Sequence, residues 1–120
     1  MMKENNLILE KSYEFAIRVV NTCRQISVEQ KEFILTNQLL RSGTSIGANI
    51  EEAIGGQPRK DFHAKLCIAY KEAREASYGI RLMTDTGFID KNLSESLLLD
   101  NEEILKIVGS IIKTLRQTNS

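Results

Sequence analysis

The chain is 120 residues long, with one proline, no tryptophan, two cysteines and one histidine. This length fits a single domain, and a lone proline leaves long stretches free to be helical, because proline is the strongest helix breaker. Sixteen basic residues balance 16 acidic ones, which argues against a strongly electrostatic nucleic-acid binder; a local basic face stays open, because the distribution of charge matters more than its sum.

Periodicity predicts a first helix from about Leu7 to Ile26. Leu9, Ala16 and Cys23 recur every seven residues beside Ser12, Val19 and Ile26, with Ile8, Tyr13, Phe15 and Val20 widening the stripe. That is the broad apolar face of a bundle helix. Ile17 falls on the polar side, where an intramolecular core does not explain it. Ser27-Val28-Glu29-Gln30 reads as a capping box that starts a second helix at once. This helix runs to about Ile54, with Phe33, Thr36, Leu39, Leu40, Ile46, Ile50 and Ala53 on its face. Gly43 and Gly47, four apart on that face, cost about 1 kcal/mol each relative to alanine. They invite another helix to approach their backbone closely.

Gly55-Gly56 should end the second helix with a left-handed cap, and Pro58 suits the first position of a third. The third extends to about Thr86 on a stripe of Phe62, Leu66, Ala69, Ala73, Ala76, Ile80 and Met83, and Gly87 is the expected stop. Asn92 with Glu95 offers a further capping box. A fourth helix then runs from about Leu93 to Gln117 on Leu97, Asn101, Ile104, Val108 and Ile112. Connections this short make sequential helices antiparallel neighbours. The predicted architecture is an all-α, antiparallel, up-down-up-down four-helix bundle filling residues 1–120 as one domain.

No apolar run approaches the roughly 18 residues of a membrane span. Met1–Asn6 is polar and lacks a signal core, and two thiols without metal-ligand spacing suit a reducing compartment. The expectation is a cytoplasmic protein with no membrane partner.

Catalysis finds little to work with. A Ser-His-Asp or Cys-His site would have to use His63, which sits in a charged stretch at the flank of a stripe. A di-iron bundle needs Glu-x-x-His on two helices, and no Glu stands three residues before His63. Glu72 and Glu75 share a face, as solvated or salt-bridged carboxylates more readily than as an acid–base pair. Gly55-Gly56 lacks phosphate-loop spacing. Cys67, on a row with Lys60, Arg74 and Arg81, reads as a bystander or interface thiol. The expectation is no catalytic residue, no metal, no cofactor and no small-molecule substrate.

Polar residues inside the pattern are more informative. Arg41, Ser45, Asn49 and Glu52 line one side of the second helix, and Glu75 sits in a row between Ile68 and Leu82. That placement suggests a carboxylate drawn inward, which would need a cation or several donors. Arg41, Ser45 and Asn49 are plausible suppliers; the alternative is an exposed charged stripe.

These residues carry a resemblance. Ser12 to Phe15, then Gln38-Leu39-Leu40-Arg41-Ser42 running through Thr44-Ser45-Ile46, Asn49-Ile50 and Glu52, then Lys60-Asp61-Phe62, Ile68-Ala69, Glu75 and Gly87-Phe88-Ile89 resemble the four-helix-bundle family encoded by intervening sequences of bacterial 23S ribosomal RNA genes. The chain departs from that pattern at Ala53, where members often have Gly, and at Pro58, where they often have Ser. The resemblance implies a homo-oligomer, typically a pentameric ring, and a tie to ribosomal RNA. The related accessory proteins of diversity-generating retroelements, similar bundles, bind nucleic acid and a reverse transcriptase. On this reading the chain is a non-enzymatic, homopentameric adaptor for RNA or a ribonucleoprotein, ribosome association included. Its candidate contacts are Arg59, Lys60, Lys71, Arg74 and Arg81. The competing expectation is a protein-only scaffold that docks a partner helix on Ile17 or on the Gly43/Gly47 surface.

Overall fold

The four stripes become four helices: α1 (Lys3–Gln30), α2 (Ile34–Ile54), α3 (Arg59–Asp85) and α4 (Lys91–Thr118). The computed structural model describes residues 3–55 and 58–118, and no strand occurs among them. α1 packs on α2, α2 on α3, α3 on α4, and α4 returns to α1, in a rod of 48 × 21 × 20 Å. Residue pairing shows the direction of each neighbour. Ser12 meets Gly47 and Val19 meets Gly43, so numbers fall on α2 as they rise on α1. The same holds for Arg41 with Glu72 and Glu52 with Lys65 across α2 and α3, and for Tyr70 with Gly109 and Thr84 with Ser94 across α3 and α4.

The core is contributed evenly. Ile8, Phe15 and Val19 meet Leu39, Ile46 and Ile50, Leu66, Ile80 and Met83, and Leu97, Ile104 and Val108, each fully buried. Ala69, Ala73 and Ala76 are buried without remainder. Asn101, also fully buried, donates from Nδ2 to the Ala73 carbonyl and to Ser77 Oγ, both at 2.7 Å. Its Oδ1 finds no partner among the described residues.

Three predicted helix ends are corrected. The Ser27 box does not start α2: α1 continues through it to Gln30, and the Ser27 hydroxyl donates to the Arg24 carbonyl at 3.1 Å. The chain turns at Lys31, whose φ is 58°, and Glu32 does the capping. Its carboxylate accepts from the amides of Ile34, Leu35 and Thr36 at 3.2, 3.1 and 2.9 Å. Asp90, not Asn92, caps α4 by accepting from the Leu93 amide at 2.9 Å. Gly55 ends α2 with φ −75°, outside the left-handed region, while Gly56 lies outside the described residues. Pro58 immediately precedes α3. Gly87 is the stop expected of it: at φ 90° it lets the Phe88 amide donate to the Met83 carbonyl at 2.8 Å and its own amide to Thr84 at 3.1 Å, the two bonds of a Schellman cap.

The glycine expectation on α2 resolves into a specific contact. A Cβ on Gly43 would lie 2.8 and 2.9 Å from the two γ-carbons of Val19, whereas one on Gly47 would lie 3.4 Å from the Ser12 carbonyl oxygen. Valine is stiff at χ1 and cannot swing its methyls aside. Overpacking of this kind costs about 1–3 kcal/mol, offset by about 1 kcal/mol of helix preference. Gly43→Ala should therefore lower stability by up to about 2 kcal/mol in urea unfolding, and Gly47→Ala should stay within about 1 kcal/mol of wild type. Adding Val19→Ala to Gly43→Ala should cost less than the two changes separately; strict additivity would mean the two side chains do not meet.

Glu32 yields a pH-dependent expectation. Partial burial pushes its carboxyl upward, but the three amides, with the Thr36 hydroxyl, outweigh this and hold it below the ordinary range. A depressed carboxyl contributes stability above its unfolded value, and that contribution is lost as pH falls through the folded value. Glu32→Gln should destabilise by about 1 kcal/mol at neutral pH, as cap removal does, and the gap to wild type should close on acidification. A gap that persists undiminished below the carboxylate range would mean the charge is not what caps α2.

Candidate nucleic-acid interface

Each pair of neighbouring helices meets along a seam, and the four seams differ in charge. The α1/α4 seam is closed by ion pairs of Lys11 with Glu103 and of Arg18 with Asp100. The α2/α3 seam carries Lys65 with Glu52 at 3.0 Å, and Arg41 forked between Glu72 at 2.8 Å and Glu75 at 2.7 Å. Among the described residues no ion pair crosses the α1/α2 or α3/α4 seam.

The Arg41 fork tests the polar network read from the sequence. Arg41 does reach Glu75, but Glu75 is 46% exposed at its side chain, and the buried carboxylate is Glu72, at 10%. A step of three residues rotates a helix position by about 60°, enough to move Glu75 out of the seam that encloses Glu72. The inward pull assigned to Glu75 therefore belongs to Glu72. Arg41 holds the Glu75 carboxyl below its ordinary range by a hydrogen bond, against a smaller upward push from desolvation. Ser45 and Asn49 are not suppliers. Their side chains donate along α2, to the Arg41 carbonyl at 2.6 Å and the Ser45 carbonyl at 2.8 Å. Glu52 is engaged by Lys65 instead.

The basic residues predicted for nucleic acid all lie on α3. Helical rotation places Arg59, Lys60, Lys71, Arg74 and Arg81 within a sector of about 120°, and each is exposed. They are not equivalent. Arg59 donates to Thr118 Oγ1 at the end of α4. Lys60 and Arg74 make no ion pair among the described residues. Lys71 acts electrostatically on Glu75, so it sits toward the α2 side. Arg81 lies over the Tyr78 ring, 5.9 Å from its centroid, beside a hollow that also holds Asp85, Lys91 and Glu95. The positive field is therefore concentrated at the Arg59 end and diluted at the Arg81 end.

At the Arg59 end the structure adds cations that the α3 pattern alone does not reveal. A groove of about 510 Å³ runs between α3 and α4, lined by Cys67, Tyr70, Gly109, Ile112, Lys113, Arg116 and Gln117. The signal for Lys113 and Arg116 was available in principle. Antiparallel helices of nearly equal length must bring the end of α4 beside the start of α3.

His63 and Cys67 lie 3.6 Å apart on α3, and no cluster of three potential metal ligands occurs among the described residues. Cys67 is half-buried and Cys23 buried. Burial, with the charge of Glu32 adding to it, pushes the Cys23 thiol up to about 11.

α1 leaves apolar surface uncovered on the side turned away from α2, since two residues of helix rotation separate Ile17 by about 160° from Val19, which meets Gly43. Ile17 is 46% exposed, Val28 is exposed as well, and so, against the expectation that they face the core, are Tyr13 and Phe33. Gly43 and Gly47 are buried against α1, so they offer no surface to a partner helix. No described helix is long and apolar enough to cross a membrane.

The Arg41 fork carries a stability prediction. Glu75→Gln should change stability by less than about 1 kcal/mol, the usual size for an exposed ion pair. Glu72→Ala should cost about 1–3 kcal/mol, because it strips a buried acceptor from the seam. Urea unfolding that ranks Glu75 above Glu72 would reverse this assignment.

Comparison with known proteins bears on the whole chain. No curated protein matches it. Among solved structures, a protein of unknown function from the S23 ribosomal protein family of Bacteroides thetaiotaomicron VPI-5482 is 49% identical. The match has a TM-score of 0.89 and covers 92% of this chain and 98% of the other. Neither that description nor the family's names a reaction. A sequence model described as 23S rRNA-intervening sequence protein matches residues 4–110, and with nearly the whole bundle inside that match the chain belongs to the 23S rRNA-intervening sequence protein family.

Proposed function

We propose that the chain is a non-enzymatic, homo-oligomeric adaptor, in the pentameric form that the family resemblance implies, and that each subunit binds structured RNA or a ribonucleoprotein through its α3/α4 face. 23S ribosomal RNA is the first candidate. The observation that carries this reading is the segregation of charge in a neutral chain. The α1/α4 and α2/α3 seams carry acids engaged in intramolecular pairs, while Arg59 ties the start of α3 to the end of α4 that carries Lys113 and Arg116, and Lys60 and Arg74 fall in the same helical sector of α3 as Arg59. A ring repeats that patch in every subunit, and repetition raises avidity without new contacts. The uncovered Tyr13–Ile17 stripe supplies apolar surface for assembly, since contiguous exposed patches of this kind mark association sites.

Binding driven by phosphate neutralisation weakens as salt rises, with a slope set by the number of contacts. Fluorescence anisotropy with 23S rRNA fragments should show steep salt dependence. Replacing Arg74, Lys113 and Arg116 together by Gln should flatten the log–log slope by about 2–3, while Arg24→Gln on α1 should leave it unchanged. Light scattering should give a mass several times that of the 13.6 kDa chain. Negligible affinity at low salt sinks the RNA reading.

The protein-only scaffold keeps one specific support, the exposed Ile17 stripe on α1. A partner that stays bound after nuclease treatment and is lost with Ile17→Asp, in a chain that remains oligomeric, favours it instead.

A further inference from the structure

We propose that the α3/α4 groove is a nucleotide pocket, holding one unstacked nucleotide of a single-stranded RNA segment with its base against Tyr70 and its phosphate at Lys113 and Arg116. The proposal rests on the RNA reading above and sharpens it from a charged face to a selective one. Its volume of about 510 Å³ lies within the range of about 300–1,000 Å³ typical of small-ligand sites. Its two ends differ in chemistry: Tyr70, Gly109 and Ile112 form an apolar, partly aromatic floor, and Lys113 and Arg116 supply positive charge at the side.

Cations near the C-terminal end of a helix, such as Arg116 in the last turn of α4, are common on their own account, because they complement its dipole. Lys113 and Arg116 alone therefore specify nothing. What makes them a site is the aromatic ring beside them and the glycine that positions it. A Cβ on Gly109 would stand 3.2 Å from Tyr70 Cε1, so a side chain there would press on the ring and narrow the groove. Tyr70 is half-buried against α4 and lines the groove with the rest of its surface. Arg59, the first residue of α3, is tied to Thr118 at this same end. The positive end of the α3 dipole thus offsets the negative end of α4 where the phosphate would lie. Bases in a duplex are stacked and paired, and only unpaired ones can be splayed onto an aromatic side chain. The groove therefore selects unpaired nucleotides over duplex.

Cys67 makes the test direct, since it lines the groove while Cys23 is buried. Alkylation of the folded, full-length protein by iodoacetamide should modify Cys67 and spare Cys23. Uridine 5′-monophosphate and a short single-stranded oligouridylate should both slow that modification. Inorganic phosphate, uridine and an RNA duplex at equal concentration should slow it much less. Tyr70→Leu should weaken single-strand binding about fivefold or more, the low end for a stacked base, and Tyr70→Phe should restore it. The protection assay on the unaltered protein needs no variant, so a misfolded Tyr70→Leu chain leaves it standing. Protection by phosphate equal to that by the nucleotide overturns the pocket in favour of a simple anion site. Salt-sensitive 23S rRNA binding with no protection of Cys67 overturns the pocket and spares the RNA reading. Absence of binding to any RNA removes both.

Discussion

The distance between α1 and α2 is set by side chains that are missing. Gly43 leaves room for the γ-methyls of Val19, and Gly47 leaves the Ser12 backbone within van der Waals reach. Because those positions face α1, the helical period turns Arg41 about 160° away from Gly43, to the far side of α2. Its long side chain is then aimed at α3, where Glu72 and Glu75 wait three residues apart. A close apolar contact on one side of a helix thus determines which ion pair forms on the other. Between α3 and α4 the contact is polar, where the buried Asn101 amide bridges from α4 to the Ala73 carbonyl and Ser77 of α3. Sliding α4 by a turn would separate Asn101 from the Ala73 carbonyl and Ser77, leaving both of its donors unpaired in the core.

Much of this was legible in the residues because it depends on period. The stripes, the Gly87 stop, the closeness at Gly43 and the surplus Ile17 all follow from positions repeating every three or four residues, and the structure keeps each of them. What escaped depends on single side chains choosing among near-equal partners. Ser27-x-x-Gln30 and Asn92-x-x-Glu95 have the form of a capping box, but Glu32 and Asp90 stand nearer the helix starts and are charged, so they accept the amide donors more strongly. Glu72 and Glu75 are three residues apart, and the turn between them separates a buried carboxylate from an exposed one. A pattern read along one helix cannot see which neighbour encloses which edge. The same blindness hid Lys113 and Arg116, whose partners in the groove are on α3, and made Tyr13 and Phe33 look like core when both stand exposed.

Net charge is a poor guide to what such a bundle binds, and the four seams show why. An ion pair within the subunit removes one charge of each sign from the outside, so pairing leaves the total unchanged and decides only which faces keep free charge. Here the pairs sit on α1/α4 and α2/α3. Apolar exposure and free cations then fall on different surfaces: α1 leaves Tyr13 and Ile17 outside on the side turned away from α2, and the α3/α4 seam gathers cations beside a groove. They are distinct surfaces of the rod, so occupying one does not require covering the other. A protein that assembles through that apolar face of α1 would keep its cationic seam facing outward in every copy, and total charge would stay zero however many copies joined. The acids that dilute the field, Asp85 and Glu95, lie with Arg81 at the far end of that seam. Free positive charge on this seam is therefore concentrated toward the Arg59 end and offset toward Gly87, so the two ends of the rod differ in charge.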